Sequence, residues 1–406
     1  MTHILMTFLG RVEKGGNYNE TDYCFSSGVA VKTRYFGLTL REKLQAEKLV
    51  ILGTSGSMWE VLFIEGVDLT EEAPSAVEQL SNAAKENGVT QELLNPLQAP
   101  LSSRLGCEVR LLRIPYAPTE AEQLKLLGIM AAEVNTGDRV SLDITHGFRH
   151  LPMLALLSAL HLREAKNATI EGIWYGAYDP DTKKAPVYNL AGLLRMADWI
   201  GALRTFDKDG DYGAFADRLD QDGLASVDTN HLRHAAFFER TSNPRDARKE
   251  LANFDKVLAR GLPGVGALFA DQLRYRLNWH RSGDTFTNQA DLATFYRKRG
   301  DYIRAAIFAY EAFVTRLIDR EAGEREDNYK HREAAFKAYE KGERGNQRLK
   351  SDYWLLKNLR NTLAHGNEPD DKDDKRDRRL PGITTDEERL NRELERLIQT
   401  LLRASG

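Results

Sequence analysis

The stretch Val140-Ser141-Leu142-Asp143-Ile144-Thr145-His146-Gly147-Phe148-Arg149-His150 decides the fold of the first half of this sequence. Its opening residues, Val140–Ile144, form a short β-prone run, and the apolar segment Leu151–Leu162 that follows predicts a helix. Between them an acid, a hydroxyl, two imidazoles and a guanidinium crowd the point where a strand hands over to a helix. Outward from here the pattern repeats. Ile4–Leu9, Lys48–Leu52, Val109–Ile114 and Ile170–Tyr175 are further short β-rich runs, separated by helical stretches. Most are continuously apolar, as parallel strands covered on both faces are. The alternation predicts an α/β domain with a parallel sheet from Ile4 to about Leu190.

Beyond Leu190 the β signals almost vanish, and segments such as Asp291–Arg320 and Ser351–Ala364 carry apolar residues three and four apart, the spacing of one helix face. The second half is therefore expected to be all-α. Thr205–Gly223 and Thr241–Asp246 read as polar breaks, and Gly366–Gly382 as a charged loop whose mixed-sign run Asp370–Arg379 suits a solvated linker. At 406 residues, 42% hydrophobic and 29% charged, the chain can bury a large core, which excludes disorder as its main state. The longest apolar candidate, Leu151–Leu162, is shorter than the ~18 residues of a membrane helix, so no membrane partner is expected. Cys24 and Cys107 make no disulfide framework and no zinc spacing with histidine, which fits a cytoplasmic protein without a structural or catalytic metal. A net charge of −3 argues against sequence-independent coating of nucleic acid, though not against a local basic site.

Three places look chemical. Gly53-Thr54-Ser55-Gly56-Ser57-Met58 follows a strand and precedes Trp59–Phe63, which puts small residues and hydroxyls at a sheet's carboxyl edge, where such domains bind ligands. The loop lacks the lysine of a P-loop and the spacing of a dinucleotide fingerprint, and as a plain strand-to-helix turn it is equally reasonable. In the second place, Asp143–His150, so many hydrogen-bonding groups are costly to bury without a partner; the alternative is that Asp143 only caps the turn and His146 is a satisfied buried histidine. The third is Leu359-Arg360-Asn361-Thr362-Leu363-Ala364-His365-Gly366. Leu356, Leu359 and Leu363 form an apolar stripe, Gly366 is placed to end the helix, and Arg360 and His365 fall about 140° apart around it. A fixed cation beside a group that titrates near neutrality suits cleavage of a phosphodiester by a ribose 2′-hydroxyl, without a metal. Relaxing the spacing by one residue also picks up Arg274 with His280 and Arg325 with His331. Lys330, Arg332, Lys337, Lys341, Arg344, Arg348, Lys350 and Lys357, interleaved with Tyr329, Tyr339, Tyr353 and Trp354, make the preceding stretch a candidate surface for single-stranded RNA or an ordinary solvated face.

Tyr35-Phe36-Gly37, Leu49–Trp59 and above all Asp143–Arg149 resemble the CRISPR-associated DxTHG-motif proteins, which join a Rossmann-like CARF domain to an all-α HEPN ribonuclease domain. Tyr296–Phe313 is similar to a HEPN core helix, and Arg360 and His365 match the family's R-x4-6-H motif, with Asn361 directly after the arginine. The resemblance implies a CARF sensor over residues 1–190, a helical connector over 191–290 and a HEPN domain over 291–406. It implies a metal-independent endoribonuclease of type III CRISPR defence, with Arg360, His365 and Asn361 at its active site, acting on single-stranded RNA. Its activator would be a cyclic oligoadenylate, the tetra-adenylate favoured and the hexa-adenylate the alternative. The ring would bind Gly10, Thr54, Ser55, Gly56, Ser57, Met58, Asp143, Thr145, His146, Gly147, Phe148 and Arg149. At least a homodimer is expected, with no catalytic cofactor. Two other readings stay open: an inactive cyclic-oligoadenylate-binding regulator, or a CARF domain that degrades its own messenger with His146 or Arg149 near the scissile phosphate.

Overall fold

The computed structural model describes residues 1–11, 20–147, 151–281, 283–318, 323–366 and 379–403. The chain divides into two compact units, Met1–Leu194 and Arg195–Gly406.

The first unit is α/β. Five strands form its parallel centre: β1 (His3–Leu9), β4 (Lys48–Gly53), β5 (Glu108–Arg113), β6 (Arg139–Asp143) and β7 (Thr169–Gly176). They coincide with the five apolar runs of the sequence. Three shorter strands, β2 (Thr21–Cys24), β3 (Ala30–Thr33) and β8 (Lys184–Asn189), extend one side, giving the order β3-β2-β8-β7-β6-β1-β4-β5. β7 pairs with β8 and β2 with β3 antiparallel. Sequence reading passes over these three because they are short, half-exposed and polar, with a proline in β8.

Period-two alternation along β1 shows why the central runs must be continuously apolar. Leu5 and Leu9 enter a core with Phe36, Leu40, Leu80 and Leu97 on one face, whereas Ile4, Met6 and Phe8 enter another with Leu126, Met130, Ala155 and Leu162. Glu65–Pro100, which carries little motif content, supplies cover for the first face through the helices Pro74–Lys85 and Gln91–Leu105, the latter accommodating Pro96 and Pro100 within it.

The second unit is helical, as expected, and one hydrophobic cluster runs through it from Trp199 to Leu402. That cluster joins residues of the 191–290 segment to residues of the 291–406 segment. Thr205–Gly223 departs from its reading as a polar break: helices Leu194–Asp209 and Gly213–Gln221 occupy it, because Phe206, Phe215, Ala216 and Leu219 are buried at helical spacing among its charges. Tyr296–Phe313 likewise is not one helix. Thr285–Lys298 ends, Gly300 takes a left-handed conformation (φ +78°), and Asp301 caps the next helix, Tyr302–Arg316, by accepting from the Arg304 N–H at 3.0 Å. Ser351–Ala364 lies within the helix Lys350–His365. Of the charged loop, residues 367–378 lie outside the described residues, and Leu380–Thr384 is a short helix. Among the described residues no helix is long and apolar enough to cross a membrane.

Candidate functional site

Three strand ends meet at the carboxyl edge of the first unit. β1 runs on into Gly10 and Arg11, β4 into Thr54–Met58 and β6 into Ile144–Gly147. β1 pairs in parallel with β4 on one side and β6 on the other, so the direction of chain progression reverses here and a crevice opens beyond the strands.

The Asp143 side chain is wholly buried, and both its oxygens are committed. Oδ2 accepts from the Thr7 hydroxyl at 2.7 Å, and Oδ1 accepts from the Thr145 N–H at 2.9 Å. Thr145 Oγ1 then accepts from the Gly176 N–H at 2.9 Å. The turn after β6 is thereby tied to β1 and β7. Gly37, from the Tyr35-Phe36-Gly37 phrase, serves the same brace, since a Cβ there would lie 2.4 Å from Thr7 Oγ1. The two bonds that Asp143 accepts are those of a turn cap.

His146 faces inward. The Phe36 N–H donates to its Nε2 at 3.5 Å, which places the ring proton on Nδ1, and the Tyr23 hydroxyl lies 3.4 Å from the same Nε2. Burial pushes the imidazole pKa below its ordinary value, and the nearby Asp143 only partly opposes this. Tyr23 stacks on Phe36 with centroids 4.5 Å apart, and burial, then Asp143, pushes its phenol up.

Across the crevice, Thr54 and Ser57 turn their hydroxyls into the loop. Ser57 Oγ donates to the Leu9 carbonyl at 2.6 Å and accepts from the Thr54 N–H at 2.9 Å. The Met58 N–H donates to the Gly10 carbonyl at 3.1 Å, and Trp59 Nε1 to the Thr54 carbonyl at 2.9 Å. Thr54, Ser57, Gly10 and Met58 therefore shape the loop, while Ser55 stands partly open and Gly147 is exposed. Phe148 and Arg149 lie outside the described residues. Around Ser55 and Gly56 stand three residues that motif reading missed: Arg11, Asn87 and Tyr116. A Cβ on Gly56 would meet the Tyr116 hydroxyl at 2.5 Å and Asn87 Oδ1 at 2.9 Å, and Arg11 donates to that Asn87 oxygen. Burial pushes the Tyr116 phenol up, but hydrogen bonds from Ser55 and its loop, with the Arg11 charge, outweigh this and leave its pKa below the usual tyrosine value. Arg11 and Tyr116 each follow a central strand closely, so the carboxyl-edge rule was the signal for both.

In the second unit the three arginine–histidine spacings separate. Arg274 donates to Asp271 and to the Leu258 carbonyl, and His280 is buried against Asp255, which also takes both ends of Arg281. Arg325 is paired with Asp327 through two nitrogens, and its own N–H donates to His331 Nδ1 at 2.8 Å. Arg360 differs. Among the described residues it has no carboxylate partner; its Nε is occluded and unbonded, and its guanidinium carbon lies 4.4 Å from the centre of the Tyr310 ring. Asn361 and His365 are exposed, and Gly366 closes the helix in the left-handed region (φ +63°). Leu356 and Leu359 are buried in the unit's core and Leu363 packs against it, as the stripe predicts.

The basic stretch before this helix is less free than its composition suggests. Arg332 is spent on Glu311, Lys337 on Glu333, Arg344 on Glu324 and Lys357 on Glu340. Tyr339 and Tyr353 are core residues rather than stacking platforms, which leaves Tyr329 exposed and Trp354 partly so.

Comparison with known proteins bears on both units. Residues 4–180 match the model of the CARF domain of the CRISPR system endoribonuclease Csx1. Residues 4–180 are therefore similar to a CARF domain. It is 24% identical over 288 residues to the CRISPR-associated protein MJ1674 of Methanocaldococcus jannaschii, an alignment covering 64% of this chain and 45% of that protein. The chain thus spans about half the length of the relative it matches. The aligned share exceeds what Met1–Leu194 alone can supply, so the likeness extends past the CARF domain into the helical unit. In the CARF domain the polar edge just described occupies the switch point at which open α/β sheets hold ligands.

Proposed function

We propose that this chain is a cyclic oligoadenylate-activated, metal-independent endoribonuclease of type III CRISPR defence. On this reading the CARF domain senses the messenger, residues 191–290 connect, and residues 291–406 are a HEPN domain that cuts single-stranded RNA in the cytoplasm. The observation that carries it is the state of Arg360 and His365. Of the three arginine–histidine spacings, theirs alone leaves the guanidinium without a carboxylate among the described residues and the imidazole exposed. An arginine kept for phosphate needs its N–H donors unspent.

The chemistry follows from those groups. A ribose 2′-hydroxyl loses its proton and its oxygen attacks the adjacent phosphorus. The bond to the 5′-oxygen breaks, and that oxygen takes up a proton. Arg360 stabilises the negative charge that builds on the phosphoryl oxygens, His365 moves a proton, and Asn361 orients the sugar. The products are a 2′,3′-cyclic phosphate and a 5′-hydroxyl, and DNA is inert because it lacks the nucleophile.

One Arg360–His365 pair per chain is a sparse site, which favours a homodimer whose two-fold axis brings two pairs together. The same axis at the CARF edges would pair two Ser55–Gly56 loops and two Thr145–Gly147 turns around one ring. A cyclic tetra-adenylate, or alternatively a hexa-adenylate, matches that symmetry. The ring activates only as far as it binds the cleaving arrangement more tightly than the resting one.

The test is cleavage of labelled single-stranded RNA in excess EDTA, with and without each ring. Ring-dependent cutting that leaves cyclic phosphate ends is the expected result. Ring binding with no cleavage would favour a regulator, and loss of the ring itself, followed by chromatography, would point to messenger degradation. Cutting of an all-deoxy strand or strict dependence on added metal would overturn the mechanism.

A further inference from the structure

We propose, resting on the ribonuclease reading above, that Tyr310 is the positioning residue for Arg360: its ring face holds the guanidinium without a carboxylate among the described residues, so that the terminal N–H donors serve the scissile phosphate while Nε stays occluded. Several other arginines of this unit are held by carboxylates. Arg344 takes both oxygens of Glu324, Arg396 reaches Asp352 and Glu393, and Arg332 binds Glu311. Each such bond consumes donors and cancels the charge that phosphate binding requires. Arg360 is held instead at 4.4 Å over an aromatic face. A ring attracts a cation through its quadrupole and accepts no in-plane hydrogen bond from the guanidinium edge, so orientation is gained with the fork left unspent.

Tyr310 is itself immobilised. It is 5% exposed, on the Tyr302–Arg316 helix, and stacks on Tyr353 with centroids 6.0 Å apart. Tyr353 is clamped between Phe313, at 5.3 Å, and Tyr339, at 5.0 Å edge-on. Its hydroxyl donates to Glu340 Oε1 at 2.7 Å, and Lys357 Nζ donates to the same oxygen at 2.6 Å. Burial first, then its bonds to Glu340 and Tyr310, pushes the Tyr353 phenol far above the ordinary range, so it remains a neutral donor. Lys357 meanwhile balances Glu340, the carboxylate of this cluster, which leaves Arg360 paired to the ring. Lys350–His365 thus carries the anchor of the ring, Tyr353 two turns and Lys357 one turn before the arginine that the ring orients.

The test grades the ring's electrostatics without changing its shape. In the full-length chain, assayed with RNA and the activating ring, Tyr310→Phe is the reference, and phenylalanines with one, two and three ring fluorines are placed at the same position. Fluorine withdraws density from the face. The expected result is a stepwise fall in kcat, roughly 3- to 30-fold across the series, with KM for RNA and the unfolding midpoint nearly constant. A flat kcat across the series, while Arg360→Ala abolishes cleavage, would overturn the role of Tyr310. Wild-type turnover by Arg360→Ala would instead remove the ribonuclease site itself, so the two failures are distinct. A second readout needs no turnover: the Arg360 Nε–H proton, identified by its loss in Arg360→Ala, should resonate upfield from the Tyr310 ring current. An unshifted resonance that ignores Tyr310→Leu would also refute the stacking.

Discussion

Replacing Asp143 asks whether this carboxylate, the first residue of the DxTHG phrase, acts as a brace or as a ligand contact. In Asp143→Ala, the Thr7 hydroxyl and the Thr145 N–H lose an ionised acceptor at 2.7 and 2.9 Å inside a fully buried site. Hydrogen bonds to charged groups contribute about 1.5–3 kcal/mol each. Removing the carboxylate also relieves its own desolvation, so the net loss falls near the lower bound, about 3 kcal/mol. For a unit of this size that corresponds to a fall in midpoint of roughly 6–12 °C. Asp143→Asn keeps an oxygen for the Thr145 N–H and turns its amide toward Thr7, whose hydroxyl can rotate to accept. Its loss should be only about 1 kcal/mol, roughly 2–4 °C. Differential scanning calorimetry on both variants, with ring binding measured in parallel by isothermal titration, distinguishes the roles. A brace gives the ordering Ala well below Asn, with Asn close to wild type, and weakened binding only in proportion to the loosened turn. Unchanged midpoints in both variants, with ring binding abolished, would refute the reasoning and make Asp143 a direct contact.

Three further outcomes are expected. Arg360→Ala and His365→Ala should each lower RNA cleavage ~100-fold or more while ring affinity stays nearly unchanged, because the sensor lies in the other unit; wild-type turnover in both would dismiss the assigned pair. Titrating RNase activity with the tetra- and hexa-adenylate rings should show saturation at about one ring per dimer, and Thr145→Ala/His146→Ala should lose it, whereas unimpaired activation in that variant would count against the edge of β6 as the pocket. Because burial holds His146 below its ordinary pKa of 6.5, the unfolded chain binds its proton more readily. Its contribution to stability is therefore full above about pH 6.5 and is lost as pH falls below that value; the midpoint of the wild type should drop faster than that of His146→Gln between pH 6.5 and 5, and parallel curves would show that the ring is not buried neutral.

Much of this protein was legible in one dimension. The five central strands are continuous apolar runs because both faces of their sheet are covered, a condition local sequence records directly. The strand-to-helix junctions at Gly53 and Asp143 announced the carboxyl edge, and the helix bearing Arg360 and His365 followed from its leucine stripe and its terminal glycine. The break expected over Thr205–Gly223 is confined to 210–212 and to the turn at Asp222–Gly223, since charges on one face of each helix disguise the buried Phe206, Phe215 and Leu219 on the other. The edge strands β2, β3 and β8 left no such signature, and with β2 went Tyr23, whose hydroxyl lies against His146 Nε2.

What the sequence determined by itself is the set of chemical groups and the elements they stand on, because periodicity and turn residues are properties of neighbours along the chain. How each group is spent was decided only by tertiary structure. Asp143 is consumed by Thr7, 136 residues away, His280 by Asp255, 25 residues away, and Arg332 by Glu311, 21 residues away. Among the described residues Arg360 has no carboxylate partner, because the element that packs beside it presents a ring instead of an acid. A charge or a hydrogen bond is satisfied by whatever lies within about 3–4 Å, and that partner is chosen by the fold.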